Sequence, residues 1–354
     1  MTPNFSLLHD LKLPGHQPSE MDDKCPETTT IPSEPITASP QSAQPEKPQR
    51  TPSRLSNIQK LRFLLYRYLT TADRNVLRLS RLLSSPSGTD TLLCTTSYTL
   101  TLLRALLSRL LERRLTSIAS EIAEKADGIL LPGETLIASL PAPTSTKVLA
   151  QIVGSSKALA DVISDYRIFV RLWGGVGLYT WARSTYTSPL PDDASSKEKI
   201  LRKLTWAAIA SCVGFQVLEN GAYLSSKGAL TTANWTGDVG KARENRWWLW
   251  SSRFWAVYVG VELTKLAVMK LYKEPSAVEQ DDGEKEDKIR SEERAEKEKL
   301  ENWLWWKDMA SNLAYAPMTL HWSMERGLLS DWGVGACGMV AGGTNLVHAW
   351  RQAA

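Results

Sequence analysis

The sequence predicts an all-α, integral membrane protein with amphipathic N-terminal helices, central embedded helices and a Gly-rich C-terminal transmembrane helix. Three observations carry this prediction. Strand signals are sparse along all 354 residues. Long stretches repeat their apolar residues at the helical period of 3.6. All of the 14 tryptophans fall between Trp173 and Trp350, and Trp favours the membrane–water interface, where its ring is half apolar and its N–H meets polar groups.

Composition narrows the class. The net charge is only +4, but residues 281–299 hold more acids than bases, so the rest of the chain is more basic than the total suggests. The four cysteines, Cys25, Cys94, Cys212 and Cys337, show no CxxC spacing, which suits a reducing compartment and neither a disulfide framework nor a zinc site. Met1–Pro14 lacks the basic and apolar blocks of a secretory signal.

Residues 1–53 hold ten of the 18 prolines among Ser, Thr, Gln and Glu. This stretch cannot bury enough apolar surface to offset its ordering entropy and is expected to be a disordered tail.

Residues 54–128 form the expected amphipathic region. Turning about 100° per residue from Ile58 gathers Leu61, Leu64, Leu65, Tyr68, Leu69, Ala72, Val76, Leu79, Leu82 and Leu83 in one arc. Lys60, Arg67, Arg74, Arg78 and Arg81 lie opposite, and Phe63 is misplaced among them. Ser84-Ser-Pro-Ser-Gly88 then ends the helix. A second helix is predicted from about Thr89 to Ala126. Its shared face holds Leu100, Leu103, Leu107, Leu110, Leu111, Leu115, Ile118 and Ile122, with Arg109, Glu112 and Arg113 on the other.

Residues 145–272 are the expected central region, partly embedded in membrane. One helix is predicted from Thr146 to Trp181 despite Gly174, Gly175 and Gly177. Leu204–Leu218 carries no charge before Glu219, and Trp247–Tyr272 is rich in Trp and Val but includes Arg253, Glu262 and Lys265. Neither is a clean span of about 20 apolar residues. Residues 273–300 are a charged segment, either a linker or an exposed helix.

Residues 301–354 are the expected anchor. Trp332–Trp350 contains no acid, Lys or Arg and is flanked by Asp331 and Arg351. Gly338 and Gly342 have the small-xxx-small spacing that allows close helix packing. A buried soluble helix is the rival reading of this stretch.

Catalytic signals are missing. His9, His16, His321 and His348 have no metal-ligand spacing. No phosphate-binding glycine loop, dinucleotide fingerprint or nucleophile elbow occurs. The sequence therefore predicts no enzyme, no cofactor and no metal. The basic helix face lacks the interleaved aromatics of a nucleic-acid surface, and its broad apolar counterpart fits a helix lying in a membrane surface, with anionic phospholipid as the partner.

Three blocks then resemble one family. The most specific is Ala316-Pro-Met-Thr-Leu-His-Trp-Ser323, with Gly327-Leu-Leu-Ser-Asp-Trp332, Val334, Gly335, Gly338 and Trp350 beyond. It is similar to the C-terminal block of the peroxin-11 family of peroxisomal membrane proteins, where a motif matching His321, Trp322 and Ser323 precedes a Gly-rich helix. Gly88-Thr-Asp-Thr-Leu-Leu93, Tyr98 and Leu102-Leu-Arg-Ala-Leu-Leu107 resemble the N-terminal region. Ser164-Asp-Tyr-Arg-Ile-Phe-Val-Arg-Leu-Trp173, Gly177, Tyr179 and Trp181 resemble the central block. The gamma or C-type branch is the most similar. The resemblance spans roughly residues 75–351 and does not extend to the proline-rich tail or the charged segment.

The resemblance implies a peroxisomal membrane protein that promotes elongation, proliferation and fission of the organelle. It implies homo-oligomers, cooperation with the organelle-fission machinery and delivery by the peroxisomal membrane-protein import receptor. It also implies bending of one leaflet by an inserted amphipathic helix, the match here being Leu100–Ile122. The alternative from another class is a pore or metabolite channel in the same membrane, with Arg253, Glu262 and Lys265 lining a path.

Overall fold

A computed structural model describes residues 57–126, 143–272 and 284–354, and every regular element among them is a helix. The helices are α1 (Asn57–Ser84), α2 (Pro86–Ala126), α3 (Thr144–Arg171), α4 (Gly174–Thr187), α5 (Ser196–Ser226), α6 (Gly237–Leu271), α7 (Glu284–Trp322) and α8 (Asp331–Gln352). The chain divides into two units between Leu77 and Arg78. The described part of the first is the N-terminal three-quarters of α1. The second holds the rest.

The turn between α1 and α2 is built locally. The Gly88 N–H donates to Ser85 Oγ at 3.0 Å, so Ser85 satisfies one of the free donors at the start of α2. Pro86 follows at the first helical position, where its missing N–H has no helical partner to lose. The helix therefore begins at Pro86, a turn earlier than the expected Thr89.

The predicted helix Thr146–Trp181 is divided. α3 ends at Arg171 and α4 starts at Gly174. Side chains of α5 capture the carbonyls at the break. Gln216 Nε2 donates to the Arg171 carbonyl at 2.6 Å, and Asn220 Nδ2 to the Leu172 carbonyl at 3.4 Å. α5 itself starts at a reciprocal cap: Ser195 Oγ accepts from the Glu198 N–H, while the Ser195 N–H donates to Glu198 Oε2.

In the second unit, sequential contacts close six helices into a ring of antiparallel neighbours. Arg167 to Asp90, and Ser97 to the Ala160 carbonyl, set α3 against α2. Arg171 to Glu219 joins α3 to α5. Ser225 to Glu244 joins α5 to α6, and Trp305 to the Leu266 carbonyl joins α6 to α7. Asn345 to Ser311 joins α7 to α8. α8 returns to α2, where Gly335, Gly338 and Gly342 lie against Leu102, Tyr98 and Thr95.

The core lies where these helices meet. Cys94 and Tyr98 of α2, Cys212 and Phe215 of α5, Trp255 and Tyr258 of α6, Tyr315 and Met318 of α7, and Ala341 of α8 are buried together. Trp255 stacks on Trp322 at 5.5 Å between ring centroids, with 11° between planes, and its ring centroid is 5.5 Å from that of Tyr315.

One expectation is corrected. Among the described residues, no helix is long and apolar enough to cross a membrane. This includes the predicted anchor Trp332–Trp350. α8 has 22 residues and so has the length. It lacks the hydropathy, because its glycines contribute little apolar surface and Asn345 and His348 are polar. Its glycine face is instead buried on α2. The charged segment 273–300 is also not wholly a linker, since α7 begins within it at Glu284 and its side chains are exposed from Glu292 to Leu300. The proline-rich tail, residues 1–53, lies outside the described residues.

Candidate membrane-binding face

Much of the predicted arc on α1 is exposed, although Ala72 and Leu79 are half-buried. Ile58, Leu61 and Val76 are 66%, 67% and 62% exposed, and Leu64, Leu65, Tyr68 and Leu69 are exposed with them. A helix in water normally hides such an arc. Lys60, Arg67 and Arg74 stand exposed on the opposite side. Phe63, placed among the bases by the helical period, is exposed too. In the second unit, Arg78 is half-buried, Leu82 is buried, and Arg81 donates to the Ala353 carbonyl at 3.2 Å. The basic row therefore changes role along α1: Arg81, within the second unit, bonds the last turn of α1 to the residue that follows α8.

The face on α2 is more divided. Leu103, Leu110 and Leu115 are exposed, whereas Leu100, Leu107, Leu111, Ile118 and Ile122 are half-buried. Arg114 donates to Ser145 Oγ at 3.3 Å, so the start of α3 lies beside this part of α2.

Beside its apolar core the second unit also buries several polar and charged side chains, and some apolar ones lie outside. Arg167, Arg171, Glu219, Lys265, Ser311 and Asn345 are buried. Val162, Phe169, Val217, Val257, Leu313 and Val347 are exposed. The buried charges are paired. Arg171 makes a two-pronged contact with Glu219 at 2.7 and 2.8 Å, and Arg167 Nε donates to Asp90 at 2.8 Å. Lys265 Nζ donates to Glu262 at 3.0 Å. Exposed charges persist on α3, where Lys157 pairs with Asp161.

The three quoted sequence blocks meet in this unit. Asp90 of the first pairs with Arg167 of the second, and Tyr98 of the first lies under Gly338 of the third. His321 Nδ1 accepts from the N–H groups of both Leu328 and Leu329 at 2.8 Å. It thus closes the turn into α8, where Gly327 has a φ of 65°, a conformation that favours glycine. Trp322 covers Trp255, and the Ser323 carbonyl accepts from Arg253 Nε at 3.3 Å. The motif residues shape and hold the α7–α8 turn.

Sequence reading missed the part played by Asp90, Arg171 and Glu219. The signal was present: Arg167 and Arg171 are one helical turn apart, and Glu219 interrupts an otherwise uncharged run. Of the residues suggested for a channel path, Glu262 and Lys265 pair with each other. Arg253 is exposed, with its guanidinium 4.8 Å from the Trp250 ring centroid. Burial pushes the thiol of Cys212 up from its ordinary value, with Glu262 adding to the effect. Burial likewise raises the phenols of Tyr98, Tyr258 and Tyr315.

No family model matches the chain, and no solved structure matches it. An uncharacterized protein of Schizosaccharomyces pombe is 27% identical over 185 residues, covering 52% of this chain and 67% of that protein.

Proposed function

We propose that this protein remodels a membrane surface, and that its membrane is the peroxisomal one. The observation that carries the reading is the first part of α1: exposed apolar side chains from Ile58 to Leu69 and at Val76, backed by exposed Lys60, Arg67 and Arg74. Laid on an anionic leaflet, each base contributes about 1 kcal/mol, and each CH₂ that enters the acyl boundary about 0.8 kcal/mol. An inserted helix widens the headgroup layer relative to the acyl layer, and curvature relieves the mismatch.

The choice of membrane rests on the resemblance to the peroxin-11 blocks. On that basis the partners are anionic phospholipid, further copies of this chain, the organelle-fission machinery and the import receptor for peroxisomal membrane proteins. The α2 face from Leu100 to Ile122 supplies a second inserting element where Leu103, Leu110 and Leu115 are free. No catalytic step belongs to this reading.

The test is the peroxisome population in cells lacking the protein. Fewer, enlarged or unelongated organelles are expected. The intact chain restores them, and a Leu61→Glu, Leu65→Glu chain does not. A normal population would contradict the proposal.

A further inference from the structure

α3 carries two rows of side chains, about 120° apart around the helix. One is buried. Leu149, Ser156, Ala160, Ile163 and Arg167 are turned into the second unit, where Arg167 pairs with Asp90 of α2. The other is exposed. Ile152, Leu159, Tyr166 and Trp173 alternate with Val148, Ser155, Val162 and Phe169, at spacings of four and three residues. The seven apolar members are 44% to 65% exposed, and Ser155 is exposed with them. Trp173 lies just past the end of α3, where the backbone keeps helical angles, and its ring centroid is 5.3 Å from that of Phe169.

The spacing says what kind of surface this is. Single exposed apolar side chains are ordinary. Alternation of four and three, sustained here from Val148 to Trp173, is the pattern of a seam that packs against another helix. The flanks of the seam carry little charge. On one edge Leu149, Ser156 and Ile163 are buried. The other edge holds Gln151, Ala158, Asp165 and Leu172, and Asp165 is already paired with Lys227.

The order of sizes selects the occupant and its direction. The rings of Tyr166, Phe169 and Trp173 stand toward the C-terminal end, and the small Val148 and Ser155 toward the N-terminal end. Two such seams in parallel would set ring on ring at one end and Ser155 on Ser155 at the other. Antiparallel, about an axis midway between Leu159 and Val162, they set Trp173 opposite Val148, Phe169 opposite Ile152, Tyr166 opposite Ser155 and Leu159 opposite Val162. Large then meets small in the ring-bearing layers, as close packing requires. Asp165 comes opposite Ala158, so like charges do not meet. At half exposure the seven apolar side chains offer roughly 100 Å² apiece, so a pair buries about 1,400 Å², inside the roughly 1,200–2,000 Å² of stable interfaces.

We propose that two copies of this chain pair through this seam, α3 against α3, antiparallel about a two-fold axis between Leu159 and Val162. The contact is isologous, the usual form of a closed dimer. It gives a surface to the self-association proposed above and rests on that part of the reading, not on α1.

The test uses the purified full-length chain in solution without vesicles. Sedimentation equilibrium should give twice the 39.4 kDa mass of the chain. Leu159→Glu with Val162→Glu sets four acids around the axis and should raise the dissociation constant at least about 100-fold. Both positions are exposed, so circular dichroism should be unchanged. Direction is read by cross-linking with a short bis-maleimide, after Cys25→Ser and Cys337→Ser and with the buried Cys94 and Cys212 kept. Ser155→Cys mixed with Tyr166→Cys should link into dimers. Each alone should link at least about tenfold less, because an antiparallel pair holds equal positions about 16 Å apart along the axis. A single-copy mass for the intact chain would overturn the proposal, as would a two-copy mass that survives the two Glu changes. Equal linking of each cysteine variant with itself would contradict the antiparallel seam. The membrane reading fails separately: Leu61→Glu with Leu65→Glu should remain a dimer while losing vesicles, and Leu159→Glu with Val162→Glu should still float through α1. Lost flotation in that variant, together with a single-copy intact chain, would show that the seam meets lipid and not a second copy.

Discussion

Arg171 and Glu219 face each other across the α3–α5 contact, joined by hydrogen bonds of 2.7 and 2.8 Å and both almost wholly buried. The pair holds α3 at the point where Gln216 and Asn220 capture the carbonyls that end it. Removing one partner leaves a buried charge uncompensated. Glu219→Ala should destabilise the second unit by about 3–5 kcal/mol. The double change Arg171→Met, Glu219→Leu should recover most of that loss, because apolar groups of similar volume need no partner. Thermal melts of the two variants beside the intact chain test this.

α8 contains an internal control for helix packing. A Cβ at position 342 would lie 2.8 Å from Thr95 Oγ1 and 3.1 Å from Thr95 Cα, whereas one at position 343 meets open space. Gly342→Ala should therefore destabilise by about 1–3 kcal/mol through overpacking. Gly343→Ala should stabilise by about 0.5–1 kcal/mol through helix propensity. Opposite shifts of the melting temperature at adjacent positions would confirm that α8 is held by close approach to α2.

His321 closes the α7–α8 turn through one ring nitrogen that accepts from two backbone N–H groups. In His321→Ala both donors fall back on water, at a net loss of about 1–3 kcal/mol. Hydrogen exchange should report the change locally, with protection lost at Leu328 and Leu329 and retained in the centre of α5.

The buried thiol and phenols make the fold sensitive to alkali. Burial raises Cys212, Tyr98, Tyr258 and Tyr315 in the folded chain. The unfolded chain gives up these protons first, near pH 8.5 for Cys and 10 for Tyr. Between the unfolded and the folded values the folded state binds more protons, so stability falls as pH rises. The melting temperature should hold steady up to about pH 8 and then drop steeply toward pH 11. Ultraviolet difference spectra should show these tyrosines ionising only with unfolding.

The all-helical class was legible because apolar residues at the helical period run through most of the described chain. The turn at Ser84–Gly88 was legible because Ser85, Pro86 and Gly88 are local signals. The division of α3 from α4 was not legible, since it depends on side chains of α5 more than forty residues away. The anchor at Trp332–Trp350 misled because freedom from charge was read as apolarity. Its glycines serve contact with α2 and add little hydropathy. On the first part of α1 periodicity alone separates exposed Leu61 and Leu65 from exposed Arg67 and Arg74, but it did not show that Leu82 would be buried or that Arg81 would bond to the Ala353 carbonyl. That the α2 face would be half-covered was not, because its cover lies elsewhere in the chain.

The most direct test of membrane remodelling is flotation and electron microscopy of the full-length protein with vesicles of mixed neutral and anionic phospholipid. The intact chain should float with the vesicles and draw them into tubules, and raising salt should weaken the association by screening the bases. Leu61→Glu with Leu65→Glu should leave the second unit folded, reduce flotation by about tenfold or more and abolish tubules. Unchanged flotation and tubulation by that variant would contradict the account.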